Sequence, residues 1–215
     1  MAVLLADAPL TFREFMSNEG LPLSSVFREM FTFLTTRSDA VLFGAHAVNA
    51  YCEPERMTQD VDLLSTDAAA LAEQLRAHLA AKFTIAVRVR EVVPGVGFPI
   101  YQVRKPKNRH LADVRQVASL PPHEKREGVL TISPMELVVM KTVSLSERRG
   151  KEKGLSDRLD LHRLLHAFPA LKTEEGEVVA RLRELGCSES VFTAWREVVG
   201  ETFEADHDGD DPDDD

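Results

Sequence analysis

Asp60 and Asp62 stand at i and i+2 in Gln59-Asp60-Val61-Asp62-Leu63-Leu64, where the apolar residues argue for a β-strand. Aspartate is depleted in strands because it suits a half-buried pleat poorly. Side chains two apart point to one face, about 7 Å apart along the strand. Two such carboxylates repel each other unless a cation lies between them. Hard oxygen donors of this kind suit Mg²⁺ or Mn²⁺, ions that commonly also hold substrate phosphates.

A second group precedes this pair. Val41-Leu42-Phe43-Gly44-Ala45-His46-Ala47 runs from an apolar segment through a glycine into a helical pattern. A glycine at a strand-to-helix joint lets a phosphate approach the backbone, and the first N–H groups of the helix favour the anion. Arg56 offers a charge-assisted contact to phosphate, and Thr58 a hydroxyl that would orient a carboxylate or brace the loop. His46 has two readings: a partner for phosphate, or a histidine packed into the first turn. A D-x-D pair alone is weak evidence, as is a strand–glycine–helix joint alone. In this order, with one short helix between them, they are far more specific.

The elements that must position these groups follow from periodicity. Helices are expected at Leu10 to Ser17 and Leu23 to Arg37, a buried strand at Ala40 to Phe43, a helix at Ala45 to Cys52 and a strand at Val61 to Leu64. Asp67 should cap a helix reaching Lys82. Strands are expected at Phe83 to Val93 and, after the turn Pro94-Gly95-Val96-Gly97, at Phe98 to Val103, then at His110 to Val117 and Val129 to Ile132. Ser133-Pro134-Met135-Glu136 opens a helix with Ser as cap and Pro at the first position. Further helices are expected at Ser156 to Ala167, Glu174 to Leu185 and Ser188 to Phe203. With Pro121-Pro122 read as a boundary, residues 1–120 form a mixed α/β core, 121–203 a helical domain and 204–215 an acidic tail.

The net charge of −9 arises in that tail: Glu204 to Asp215 holds eight of the 35 acids and no Lys or Arg, leaving 27 acids against 26 bases elsewhere. Such a block repels itself and has little to bury, so disorder is expected rather than a calcium loop. Cys52 and Cys187 lie far apart and support neither a disulfide framework nor a zinc site. The N-terminus lacks a basic n-region, and no apolar run approaches the roughly 20 residues of a membrane span. The reading is therefore cytoplasmic, with no membrane partner.

The glycine joint and the D-x-D strand resemble the minimal nucleotidyltransferases of the DNA polymerase β type, whose signature is h-G-[GS] followed by D-x-[DE] on the next strand. More closely, hGxHA…RxTxDxDLL is similar to the AbiEii-type nucleotidyltransferases, toxins of bacterial toxin–antitoxin and phage-defence systems. Ser133-Pro134-Met135-Glu136-Leu137-Val138-Val139-Met140-Lys141, Arg149, and Asp157-Arg158-Leu159-Asp160-Leu161 resemble that family's later region. The likeness covers about residues 38 to 165.

The resemblance implies an α/β nucleotidyltransferase fold: a mixed β-sheet core followed by a C-terminal helical bundle. It implies transfer of a nucleotide from a nucleoside triphosphate, with Mg²⁺ or Mn²⁺ as cofactor. Asp60 and Asp62 become the metal pair and Gly44 the phosphate-loop glycine, with Ala45 and His46 beside it. Lys141 would contact the triphosphate, and Asp157 or Asp160 would position it. The superfamily adds a third carboxylate, as metal ligand and as base toward the acceptor hydroxyl; Asp113 in Leu111-Ala112-Asp113-Val114 is best placed. Ala45 departs from the pattern, and the Ser hydroxyl it lacks is worth about 1–1.5 kcal/mol.

The implied partners are an NTP, an RNA (such as tRNA) or protein acceptor, and an antitoxin protein. Two basic clusters, Arg104, Lys105, Lys107, Arg109 and Arg115, then Arg148, Arg149, Lys151 and Lys153, would guide a nucleic acid or lie as solvated loops. One alternative is transfer to a small molecule such as an antibiotic, which would want an acidic acceptor pocket. Another is a nucleotide-binding module whose catalysis has lapsed.

Overall fold

The computed structural model describes residues 20–202. The expected helix at Leu10 to Ser17 and the acidic segment Glu204 to Asp215 lie outside the described residues.

Hydrophobic continuity decides the centre of the sheet. β1 (Ala40–Phe43) is buried along its whole length, as an interior strand covered on both faces must be. β2 (Val61–Ser65) is buried except at Asp62. Seven strands form one sheet in the order β3-β4-β5-β2-β1-β7-β6; the others are β3 (Val87–Val89), β4 (Gly97–Gln102), β5 (Arg109–Gln116), β6 (His123–Arg126) and β7 (Val129–Ile132). β2 runs antiparallel to β1 and parallel to β5, and β7 runs parallel to β1. The sheet is therefore mixed.

Helix α1 (Leu23–Leu34) turns Val26, Phe27, Met30 and Leu34 inward at helical spacing. α2 (Gly44–Asn49) follows β1 without a linker. α3 (Ala68–Phe83) buries Leu71, Leu75 and Leu79 and packs on β2, β3, β4 and β5. Asp67 accepts from the Ala70 N–H at 3.2 Å, the expected cap, and Thr84 ends the helix in the left-handed region at φ 53°.

Two expectations change in detail. The strand expected from Phe83 to Val93 is reduced to Val87–Val89, because α3 takes Phe83 and the regular ladder with β4 spans those three residues; beyond it Arg90 and Val92 still donate to the Pro99 and Gly97 carbonyls. β6 has no counterpart in the apolar pattern: all four of its residues, His-Glu-Lys-Arg, are exposed. It is an edge strand, and charge on an edge discourages pairing with other chains. Both β6 and β7, beyond Pro121-Pro122, are strands of the same sheet.

The chain divides into two compact units between Leu137 and Val138, within α4 (Pro134–Glu147). Ser133 accepts from the Glu136 N–H at 3.4 Å as that helix's cap. The second unit continues with α5 (Glu152–Ala167), a 3-10 turn (Pro169–Leu171), α6 (Glu177–Glu184) and α7 (Glu189–Gly200). Its core includes Leu161, Leu164, Val178, Leu182, Trp195 and Val198. The buried indole of Trp195 donates to the Thr173 carbonyl at 3.2 Å, giving the polar edge of the ring a partner. Cys52 and Cys187 are free thiols. Among the described residues no helix is long and apolar enough to cross a membrane.

Candidate active site

Strand register gathers the carboxylates. Asp62 pairs with Phe43, the last residue of β1, on one side, and with Asp113 on the other. Neighbouring strands lie about 4.8 Å apart, so Asp62 and Asp113 are side by side. Asp60, just before β2, shares the face of Asp62 by the two-residue period. All three side chains are partly exposed.

Gly44 closes the group at the start of α2. Its φ is +71°, and a Cβ built there would lie 2.8 Å from Asp62 Cγ and 2.9 Å from Asp62 Cβ. Both the backbone angle and the space require glycine. Ala45 follows in the first turn, partly exposed.

His46 takes the packed reading. Its ring meets Phe27 edge-on at 4.8 Å and Phe31 at 5.1 Å between centroids. Burial pushes its pKa down to about 4, against the attraction of Asp60. The neutral ring shares a short hydrogen bond between Nε2 and Thr58 Oγ1, 2.5 Å. Thr58 thereby braces the loop before Asp60. Arg56 is held through its backbone: Asn49 Nδ2 donates to the Arg56 carbonyl at 2.7 Å, and the Arg56 N–H donates to Asn49 Oδ1 at 3.2 Å.

The residue that sequence reasoning missed is His110. Its Nδ1 lies 3.0 Å from Asp60 Oδ2 and its Nε2 lies 3.3 Å from Asp113 Oδ1. Residues three apart in a regular strand face opposite ways. Here the pairing steps from Ile100↔Ala112 to Tyr101↔His110, so Leu111 is an extra residue and the bulge turns His110 onto the face of Asp113. Tyr101 stacks on the imidazole, 4.9 Å between centroids. The Asp113 carboxylate beside it, then that of Asp60, raise the His110 pKa to about 10. Nε2 is nonetheless buried with no hydrogen-bond acceptor in line, so its contact with Asp113 is an ion pair without hydrogen-bond geometry.

These groups fit a divalent cation. Asp60, His110 and Asp113 each offer a donor atom, and the three atoms lie within 4.8 Å of one another. Donors about 2.0–2.2 Å from one ion stand roughly 3–4 Å apart, so small side-chain adjustments suffice. Nε2, which makes no hydrogen bond, would gain a directed partner, and the close carboxylates would gain a divalent counter-charge. Asp62 lies outside this set of three, its carboxylate against Gly44.

Lys141, Asp157 and Asp160 come together in the second unit. Lys141 Nζ lies 2.9 Å from Asp157 Oδ1 and 2.7 Å from Asp160 Oδ2. Arg148 reaches Asp157 at 2.9 Å, and Arg163 approaches Asp160 at 3.9 Å. Both carboxylates are almost wholly buried. Several members of the basic clusters are likewise engaged: Arg109 donates to the Leu21 carbonyl, Arg115 covers the Phe43 ring and Arg149 pairs with Glu197. Lys105, Lys107, Lys151 and Lys153 are exposed.

No family model matches the sequence, and no curated protein matches it. Solved structures do match the fold. JHP933 from Helicobacter pylori superposes with a TM-score of 0.56 at 14% identity, over 82% of this chain and 75% of that one. The Megavirus polyadenylate synthase gives 0.56 at 12% identity, over 68% of this chain and 32% of that one. The chain has the nucleotidyltransferase fold. The antibiotic-resistance factor ANT(2'')-Ia also shares it, with a TM-score of 0.50 at 16% identity over 80% of this chain and 94% of that one. At these identities the likeness is one of architecture, and a nucleotidyltransferase fold hosts its chemistry in particular residues.

Proposed function

We propose that this chain is a metal-dependent nucleotidyltransferase that moves a nucleoside monophosphate from an NTP to an acceptor hydroxyl. The observation that carries the reading is the alignment of Asp62 with Asp113 on adjoining strands, with Asp60 on the same face and Gly44 against Asp62. Asp60 and Asp62 are the metal pair, with Asp113 as third ligand. Mg²⁺ or Mn²⁺ would neutralise charge on the triphosphate. Asp113 accepts the proton of the acceptor hydroxyl. The hydroxyl oxygen forms a bond to the α-phosphorus as the bond to the bridging oxygen breaks, and pyrophosphate leaves with that electron pair.

Gly44, Ala45 and Arg56 bind phosphate in this reading, while His46 and Thr58 hold the loop that presents Asp60. Lys141, positioned by Asp157 and Asp160, is the triphosphate cation that the AbiEii resemblance implies. The same resemblance favours an RNA, in particular tRNA, or a protein as acceptor, a toxin role and a cognate antitoxin. The exposed lysines suit a polyanionic acceptor better than a cationic antibiotic.

The test is incubation of the chain with each α-labelled NTP, Mg²⁺ or Mn²⁺, and bacterial RNA or protein, beside the Asp60→Ala/Asp62→Ala variant. Label on RNA or protein only with the intact pair is the expected result. No transfer, together with no metal-dependent NTP binding by calorimetry, overturns the proposal.

A further inference from the structure

We propose that His110 is a direct ligand of the cation, adding an imidazole to the carboxylate donors and making a mixed set that selects Mn²⁺ over Mg²⁺. The inference rests on the metal-dependent reading above and deepens it by naming a nitrogen donor and the ion it favours. Three observations support it. The Leu111 bulge turns an imidazole onto a face where strand alternation would not put it. Its ring stands between the Asp60 and Asp113 carboxylates, at 3.0 and 3.3 Å. Its Nε2 is buried without a hydrogen bond, a cost that persists unless something takes that position.

A histidine placed only to neutralise two acids would direct both N–H groups along hydrogen bonds, and here one does not. Tyr101 stacked on the ring limits its rotation, so the donor is held in place rather than free to swing away. Imidazole belongs with transition-series ions, whereas Mg²⁺ takes oxygen donors and keeps its waters. Mn²⁺ accepts both kinds of donor, so a mixed set at this position favours it over Mg²⁺.

The test uses the full chain, labelled with ¹⁵N-histidine or unlabelled, titrated with Mn²⁺ and followed by electron paramagnetic resonance. Bound Mn²⁺ should show a nitrogen hyperfine coupling that changes with the label and vanishes in His110→Ala. Thermal melts first establish that the variant folds. His110→Asp, which supplies oxygen in place of nitrogen, should bind Mn²⁺ without the coupling. Its preference for Mn²⁺ over Mg²⁺, read by competition, should fall by at least about tenfold, the lower end of what even a change behind a ligand costs in metal affinity.

Bound Mn²⁺ without nitrogen coupling, or a preference unchanged in His110→Asp, overturns the proposal. So does absence of Mn²⁺ binding. Nucleotide transfer with no nitrogen coupling would sink the role of His110 and leave the transferase reading standing. Coupling with no transfer to any acceptor would do the reverse.

Discussion

The carboxylate of Asp62 lies against the α-carbon of Gly44, so closely that any side chain at position 44 would overlap it. One residue thus sets the position of a proposed metal ligand. Gly44→Ala should destabilise the protein by about 1–2 kcal/mol for the left-handed backbone alone, with more for displacing Asp62. Urea denaturation of Gly44→Ala, Asp62→Ala and the double variant reads this directly. The double variant should be less destabilised than the sum of the singles, because the clash is shared. Additivity within about 0.5 kcal/mol would refute the contact.

Lys141 bridges two carboxylates that are almost wholly buried. Removing one member of such a group leaves charge stranded, at a cost of about 3–5 kcal/mol. Lys141→Met should therefore lose that much stability. Trp195, the single tryptophan and a core residue of the same unit, reports the transition by fluorescence. A variant as stable as the parent would show that the ammonium is dispensable to the fold.

His46 is held neutral by burial, with its pKa lowered to about 4 from an ordinary 6.5. Below pH 6.5 the unfolded chain takes up a proton that the folded chain refuses, so stability falls as pH drops from about 6.5 toward 4. The loss attributable to this group approaches roughly 3 kcal/mol at the acid end. Denaturation at pH 7.5, 6, 5 and 4 measures the slope, and His46→Leu should flatten it. An unchanged slope in that variant would assign the acid sensitivity elsewhere.

Asn49 ties the loop before Asp60 to α2 through two hydrogen bonds with Arg56. Asn49→Ala should cost about 1–3 kcal/mol, since a partly buried carbonyl and N–H each lose a partner. It should also raise the KM for NTP more than it lowers kcat, because the loop is loosened while the carboxylates remain. Steady-state kinetics separates the two effects. A fall in kcat alone would contradict a positioning role.

How much was legible in the sequence depended on how local each feature is. The period of two puts Asp60 and Asp62 on one face from their spacing alone. The caps at Asp67 and Ser133 involve bonds across three residues, and both form as their residue types demand. The four consecutive apolar residues of β1 were enough to call for a buried strand. Charged β6 could not be read, because nothing apolar marks an edge strand exposed at every position.

Tertiary structure decided the rest. Asp62 and Asp113 are 51 positions apart, and only the parallel pairing of β2 with β5 sets them side by side. His46 has two readings from its place beside Gly44, phosphate partner or packed ring, and only the tertiary structure brings Phe27 and Phe31 of α1 around it. His110 is the clearest case. Its sequence position assigns it to the face opposite Asp113, and a single extra residue in the pairing of β5 with β4 reverses that assignment. Sequence determined which donors exist and which neighbours share a face; long-range pairing, register and one bulge determined which of them meet.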